Sequence, residues 1–537
     1  MSNEKTNRRE FMQASTTGAT ALLLLTGKMK IEAQTRVPRF ELEEATIADL
    51  QSRMRRGEMS AKDITEKYLE RIRDVDQSGA SLKSVIETNP DAERIAEQLD
   101  RERKSGRVRS PLHGIPVLIK DNIDTSDRMK TTAGSLALVD APTPQQDAFL
   151  VQKLREAGAV IIGKTNLSEW ANFRSSNSSS GWSARGGQTR NPYILDRNPC
   201  GSSSGSGTAI SANLAAVAVG TETDGSIICP SSNTGIVGIK PTLGLISRAG
   251  VIPISHSQDT AGPMTRTVTD AAILLGAMTG AHALDSATRG QKAQKDYTQF
   301  LRRDGLRGAR IGVMRQYFGK NGKVDKVLET ALDAMKAEGA TLIDVKFPTF
   351  DKFGDAEFEV LLYEFKTDLN KYLAERNSPY RTLADLIKFN EDNKEREMPF
   401  FGQDIFISAQ KKGGLNDRAY RLALQKSKTM TREQGIDAIM NQNKLDAIFA
   451  PSNAPIWATD LVNGDCFGAY IGSSSWAAVA GYPSITVPAG FVQNLPVGVS
   501  FFGRPWTENL LLKHAYSFEQ TTKTRRAPQF LATASHQ

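Results

Sequence analysis

The stretch Pro111-Leu-His-Gly-Ile-Pro-Val-Leu-Ile-Lys120 ends in a short apolar run that is typical of a buried β-strand. A second such run, Ala159-Val-Ile-Ile-Gly163, follows it, and residues 144–157 between the two have the mixed apolar and charged pattern of a helix. Strand, helix and strand at this spacing are typical of a parallel sheet covered by helices. The sequence therefore predicts an α/β fold: a single compact domain with a central mixed, mostly parallel β-sheet covered by helices on both faces.

The remaining chain continues this pattern without a break between domains. Thr46 and Ser60 are typical helix N-caps, and residues 290–445 are mostly charged, amphipathic helix. Seven apolar residues of that segment keep to one helix face, which predicts core or groove wall: Phe358, Leu361, Leu362, Phe365, Leu369, Tyr372 and Leu373. Three later strand-like pieces can rejoin the sheet: Asp446–Pro451, Ser484–Val487 and Val497–Phe502.

Composition excludes several function classes. The 68 Lys and Arg against 60 Asp and Glu give a charge of +8, which is too dilute over 537 residues to indicate nucleic acid or an anionic membrane as partner. Three cysteines without a C-x-x-C pair cannot form a disulfide framework, and five scattered histidines do not favour a metal cluster. We therefore expect no clustered metal site.

Residues 1–33 have the features of an export signal. Arg8-Arg9 and Phe11 precede the apolar stretch Ala19–Leu25, which resembles the twin-arginine signal of bacteria. That stretch is shorter than the ~20 residues that span a bilayer, so no stable membrane anchor is expected. We predict export, to the periplasm, with residues 34–537 as the exported domain; the alternative is an amphipathic N-terminus on a cytoplasmic protein.

The run Gly201–Gly207 contains only serine and glycine, and one interpretation is a flexible linker. Three features count against a linker. A small-residue segment of helix and strand, Thr208–Gly220, follows at once, a second Gly-Ser turn lies at Gly225-Ser226, and Lys120 places a charge at the end of an apolar strand.

The same run also fits the G-x-S-x-G nucleophile elbow of α/β-hydrolases, with Ser203 as nucleophile and His256 or His514 as base. An elbow needs a buried strand directly before it, whereas Asn191–Pro199 is polar and interrupted by proline. A phosphate-binding loop is less favoured still, because the pattern G-x-x-x-x-G-K-[ST] is absent.

Six ordered segments together resemble the amidase signature family, and they span most of the chain outside residues 1–33 and 290–445. The segments are His113–Asp121, Gly163–Asn166, Cys200–Ser206, Gly220–Pro230, Gly235–Thr242 and Gly481–Pro488. The resemblance implies an enzyme that hydrolyses a carboxamide C–N bond without metal or cofactor.

The resemblance implies a catalytic triad of Ser226 as nucleophile, Ser202 as bridging serine after a cis peptide bond, and Lys120 as base. The chemistry agrees with these residue types. A serine hydroxyl needs a base, and a lysine serves as one only when burial or a nearby charge lowers its pKa from about 10.4. A bridging hydroxyl can pass the proton because it donates and accepts at once.

The resemblance further implies an oxyanion hole made by the backbone N–H groups of Thr223, Asp224, Gly225 and Ser226. Asp224 departs from the family, which has glycine there, and the family's glycine pair in the serine-glycine loop is Ser204-Gly205 here. We expect the Asp224 carboxylate to point away to a donor, because it would otherwise oppose the oxyanion.

Cys200 and Cys229 are interpreted as small buried residues near the site.

Within the family the chain is most similar to bacterial peptide amidases, in Thr221–Pro230, Ile252–Met264 and Thr382–Asn390. The resemblance implies a monomeric or homodimeric enzyme that removes C-terminal peptide amides as ammonia, with residues 290–445 on the substrate side. The alternatives are a glutaminase subunit of a tRNA-dependent amidotransferase, a general acylamide or fatty amide hydrolase, and a non-catalytic binding protein on the same scaffold.

Overall fold

The computed structural model describes residues 37–466, 468 and 471–534. The export signal predicted for residues 1–33 lies outside them. The segment from Val37 onward forms one compact unit.

The described residues contain one large sheet of 12 strands and a separate two-stranded ribbon formed by β4 and β5. The strands are β1 Val85–Thr88, β2 Pro116–Lys120, β3 Val160–Thr165, β4 Trp182–Ser183, β5 Gly187–Gln188, β6 Val217–Glu222, β7 Val237–Lys240, β8 Thr260–Thr265, β9 Arg310–Met314, β10 Thr341–Val345, β11 Ala447–Ala454, β12 Ile471–Gly472, β13 Ser484–Val492 and β14 Leu495–Phe502. The order across the large sheet is β1-β3-β2-β6-β8-β7-β13-β14-β11-β9-β10, and β12 pairs with β11.

The sheet is mixed, which confirms the predicted α/β architecture. Its parallel pairs fall in two blocks, β3-β2-β6 and β11-β9-β10. The strands between these blocks pair antiparallel. Part of that middle is the tight hairpin of β13 and β14, whose turn residues Gln493 and Asn494 have φ of 49° and 65°, as primed hairpin turns require. The strand, helix and strand spacing near residue 120 does not indicate this hairpin.

The strands that carry the site are buried on both faces. Every residue of β2, β3, β6 and β8 is buried, although successive side chains of a strand point to opposite faces. Both faces of the sheet are therefore covered there, as in other parallel sheets flanked by helices.

The helices are α1 Ile47–Arg55, α2 Ala61–Arg71, α3 Ala92–Lys104, α4 Phe149–Glu156, α5 Ser204–Ser211, α6 Ile228–Asn233, α7 Val268–Met278, α8 Gly322–Ala337, α9 Gly354–Glu375, α10 Leu383–Asp392, α11 Lys394–Glu397, α12 Asp404–Gln410, α13 Arg418–Thr431, α14 Asp437–Asn443, α15 Ser474–Ala480 and α16 Glu508–Thr522. Thr46 and Ser60 cap α1 and α2 through capping boxes with Asp49 and Asp63, which confirms both predicted N-caps. Within the described residues, no helix combines the length and the apolar character that crossing a bilayer requires.

The segment 290–445 contributes α8 to α14, and also β9 and β10 at one edge of the sheet. In the predicted apolar stripe of α9, five residues are buried: Leu361, Leu362, Phe365, Leu369 and Leu373. They pack with Phe173 and Ile254 in one cluster, which places α9 beside the chemistry-bearing loops. Phe358, at the start of the stripe, is 43% exposed.

Candidate active site

Parallel pairing of β2 with β6 brings Lys120 next to Thr221. Ile119 is in register with Val219, so both strands end at the same edge of the sheet. Lys120 Nζ lies 2.8 Å from Ser202 Oγ and 2.9 Å from Thr221 Oγ1. The structure thus places two of the three predicted triad residues within hydrogen-bond distance.

Lys120 is fully buried, and burial lowers its pKa to about 7, against the opposing influence of the Asp259 and Glu222 carboxylates. An amine with this pKa is substantially neutral near neutral pH. Thr221 adds a second hydroxyl partner and fixes the position of the amine. The sequence contains Thr221 within the nucleophile motif, but nothing in the motif indicates that it contacts the lysine.

Ser202 follows a cis peptide bond from Gly201, as the resemblance implies. The linker interpretation of Gly201–Gly207 is wrong, because α5 begins at Ser204 and the run is buried. A side chain at Gly205 would collide with the carbonyl oxygens of Ser84 and Asn166. The small residues therefore serve close packing of backbone against backbone rather than flexibility.

Ser226 lies in the turn between β6 and α6. Gly225, the preceding residue of this turn, has a φ of +78°. The Glu222 carboxylate accepts hydrogen bonds from the N–H groups of Ile227 and Ile228 at 2.8 and 2.9 Å, which fixes the far side of the turn. Ser203 N–H donates to Ser226 O at 3.1 Å, so the loop carrying Ser202 lies directly beside Ser226. The sequence motif includes Glu222 but does not indicate this role.

The N–H groups of Thr223, Asp224, Gly225 and Ser226 donate to no protein acceptor among the described residues. Together with Ser202, these residues line a cavity of about 210 Å³, whose lining also includes the apolar side chains of Phe173, Ile254 and Leu361. Ser226 is 8% exposed there. A row of unpaired backbone donors next to a serine at a cavity wall is the arrangement that stabilises a developing oxyanion.

Asp224 accepts hydrogen bonds from Ser474 Oγ at 2.6 Å and Ser475 Oγ at 2.5 Å, the first two residues of α15. This confirms that its carboxylate is directed to donors. The sequence does not indicate that Ser474 and Ser475 contact Asp224, because they lie some 250 residues from it and outside any motif.

The other side of the turn is anchored by Asp259. Its carboxylate accepts from Thr223 Oγ1 at 2.6 Å and from the N–H groups of Ile254 and Ser255 at 2.8 Å. Gln258 Nε2 donates to Thr223 O at 3.2 Å. Thr223 is therefore held through both its side chain and its carbonyl. These bonds fix the orientation of its backbone N–H group.

Cys200 and Cys229 are small buried residues beside the cavity, as predicted, and they also form a disulfide, which the sequence does not predict. Both are buried at the cavity wall, and their Cα atoms are 6.0 Å apart, within the range of disulfides. The bond joins the residue before Gly201 to α6, which follows Ser226. Two cysteines 29 residues apart carry no sequence signal for pairing, because the fold alone brings them together.

The elbow alternative is wrong as well. Ser203 Oγ donates to Thr221 O at 3.0 Å and accepts from Thr221 N–H at 3.2 Å, so its hydroxyl is occupied by a single residue of β6. Neither proposed base bonds to it: His256 binds Asp368 at 2.8 Å on a half-exposed surface, and His514 binds Gly305 O at 2.9 Å.

His256, Glu364 and Asp368 bring three possible metal-ligand atoms within 4.8 Å of one another. Glu364 already accepts from Ser255 Oγ at 2.5 Å and Tyr420 Oη at 2.7 Å. These bonds join α9 to the loop around residue 255, and we interpret the group as an anchor of that loop.

Comparison with known proteins places the chain in a family. The family model described as Amidase matches residues 63–512. A probable amidase of Arabidopsis thaliana is 43% identical over 506 residues, covering 92% of this chain and 93% of the relative. A glutamyl-tRNA(Gln) amidotransferase subunit of Thermoanaerobacter pseudethanolicus is 35% identical over 512 residues, covering 92% of this chain and 100% of the relative.

Among solved structures, the peptide amidase of Stenotrophomonas maltophilia superposes with a TM-score of 0.87 at 48% identity, covering 92% of this chain and all of that one.

Proposed function

The chain belongs to the amidase family and is a hydrolase acting on amides, and we propose that it removes the C-terminal amide of peptides through an acyl-enzyme on Ser226. The observation that carries this proposal is the buried Lys120 amine bonded to Ser202, beside a serine turn with four unpaired N–H groups at one cavity wall. The similarity to a peptide amidase at 48% identity supports the substrate class.

Acylation begins with Lys120 neutral. Ser226 Oγ attacks the amide carbonyl carbon while its proton passes to Ser202 Oγ, and Ser202 passes its own proton to Lys120 Nζ, which lies 2.8 Å away. The relay then runs in reverse. The C–N bond breaks, the amide nitrogen takes a proton from Ser202, ammonia leaves, and the peptide acyl group remains on Ser226.

Deacylation repeats the relay with water. Water loses a proton to the same Ser202 and Lys120 pair as it attacks the ester carbonyl, and the returning proton restores the Ser226 hydroxyl. In both steps the unpaired N–H groups of residues 223–226 stabilise the negative oxygen, and losing a single donor of this kind costs about 3–4 kcal/mol.

Charge at the cavity wall separates the candidate substrates. Among the described residues that line the cavity, Asp224 is the one with a charged side chain. Among the described residues that line the cavity there is no cationic side chain to pair with the free α-carboxylate of a glutamine substrate, whereas the amide-bearing end of a peptide amide has no carboxylate that needs a partner.

The test of substrate class is a panel of primary amides, C-terminal peptide amides, glutamine and aryl acylamides, with ammonia or aryl amine release as the signal. We expect the highest kcat/KM for peptide amides, with the intact peptide acid as product. A preference for glutamine would overturn the proposal in favour of the amidotransferase-type activity, and cleavage within the peptide chain would exclude an amidase limited to the C-terminus.

The double variant Ser474→Ala, Ser475→Ala tests how Asp224 is kept away from the oxyanion. Without both hydroxyl donors, the buried Glu357 carboxyl remains as a side-chain partner of Asp224, so the Asp224 carboxylate is held less firmly away from the cavity, where its charge opposes that of the intermediate. We expect kcat to fall by about 10²-fold, the lower end of the range for loss of one oxyanion-hole donor, while KM changes little. Adding Asp224→Gly should restore kcat, because the opposing charge is then gone; a double variant with wild-type kcat would contradict this role.

We also propose that the chain is exported, on the paired Arg8-Arg9 and the short apolar stretch that follows. The Cys200–Cys229 disulfide supports an oxidising compartment, where such bonds form and persist. In cells expressing the full chain, amidase activity should be recovered in the periplasmic fraction, and the variant Arg8→Lys, Arg9→Lys should retain it in the cytoplasm. Equal distribution of the two proteins would exclude a twin-arginine signal.

A further inference from the structure

Phe358 on α9 is a large apolar side chain that is 43% exposed, although its helix is otherwise anchored through a buried face. The ring is in contact with the catalytic cavity through Phe173, since the two ring centroids are 6.2 Å apart with the rings edge to face. Phe173 is itself a wall residue of that cavity.

A second link runs along the helix. Leu361 lies three residues after Phe358, on the same side of α9, and also lines the cavity. Ile254 also lines the cavity and packs in one apolar cluster with Phe173 and Leu361. A continuous apolar surface therefore extends from inside the cavity, across Phe173 and Leu361, to the exposed ring of Phe358.

The cavity is too small to enclose a peptide. Its volume of about 210 Å³ is below the ~300–1,000 Å³ of pockets that bury a whole ligand. Only the amide-bearing end of a peptide can enter, and the residue before it must lie across the rim. An aromatic ring at the rim offers the side chain of that residue a large contact area with a defined geometry.

We propose that Phe358, supported by Phe173, forms a binding subsite for the side chain of the residue that precedes the amide-bearing residue, and that it selects aromatic or large aliphatic side chains there. This inference rests on the proposed function, since it names the peptide amides that the same site prefers. It makes Phe358 a specificity residue with no part in the proton relay.

The experiment compares N-acetyl-Phe-Gly-amide with N-acetyl-Gly-Gly-amide on wild type and Phe358→Ala. In wild type we expect kcat/KM at least fivefold higher for the phenylalanine peptide. Phe358→Ala should remove most of this preference through a higher KM, while kcat/KM for the Gly-Gly peptide changes less than twofold. Phe358→Leu should keep a preference for large aliphatic residues.

Phe400→Ala is the matched control, because Phe400 is also 43% exposed and packs on Trp182, and neither residue lines the cavity. This control should leave the preference unchanged. The subsite is excluded if Phe358→Ala retains the full preference, or if it lowers kcat/KM equally for both peptides. Failure of the proposed function would differ from both results, since wild type would then release ammonia from neither peptide.

Discussion

Ser226→Ala is expected to lower ammonia release from a peptide amide by about 10⁵-fold or more, the scale on which losing a serine nucleophile acts in hydrolases. The physical reason is that neither neighbouring serine hydroxyl can replace that of Ser226 as nucleophile. Ser202 bonds to Lys120, and Ser203 is occupied by Thr221. The measurement is the steady-state rate of ammonia release with purified protein, at substrate concentrations that separate kcat from KM.

The Ser226→Ala variant should still fold and bind the peptide amide, because the loss of one hydroxyl oxygen removes little buried volume. An unchanged melting temperature and an unchanged Kd for the peptide amide would establish this. Ser231→Ala is a matched control, since Ser231 is a buried serine of α6 that lies outside the cavity wall, and it should retain most of the activity. Ammonia release that survives Ser226→Ala would assign the nucleophile elsewhere.

Lys120→Ala is expected to lower kcat by about 10³-fold or more, at the upper part of the range for loss of a general base. In wild type the same residue should set the pH dependence. Lys120 is active only when deprotonated, and burial lowers its pKa to about 7. We therefore expect kcat/KM to rise about tenfold per pH unit below that pKa and to level off above it.

Lys164→Met is the control for the loss of a buried lysine that takes no part in the proton relay. Lys164 is also fully buried, but its Nζ donates to Ile123 O at 2.6 Å and Thr131 Oγ1 at 2.8 Å, outside the catalytic cavity. Its loss is expected to reduce stability and leave the pH profile of the folded enzyme unchanged. A wild-type profile that is flat between pH 5 and 9 would contradict a lysine base, as would full activity of folded Lys120→Ala.

The positions that the sequence predicts well are those where residue type and local chemistry coincide. Lys120 ends an apolar strand, and burial at that end is what lowers its pKa. Ser226 follows a glycine that takes the positive φ of the turn. These features are local, but it is the resemblance to the amidase signature family, rather than either residue taken alone, that singles them out in the sequence.

The support of the site depends on residues that the chain brings together from a distance, and no local pattern indicates them. Ser474 and Ser475 reach Asp224 only because α15 packs beside the turn. Cys229 meets Cys200 only because α6 lies against the serine-glycine loop. The antiparallel middle of the sheet is missed for the same reason, since strand partners are chosen by the whole fold.

Partitioning with hydroxylamine shows whether an acyl-enzyme forms on Ser226. A peptide amide and the methyl ester of the same peptide must form one common acyl-enzyme if Ser226 is the nucleophile. At a fixed hydroxylamine concentration, the ratio of peptide hydroxamate to peptide acid should be the same for both substrates, and Ser226→Ala should form neither product. Ratios that differ between amide and ester, or hydroxamate formed by Ser226→Ala, would contradict the account.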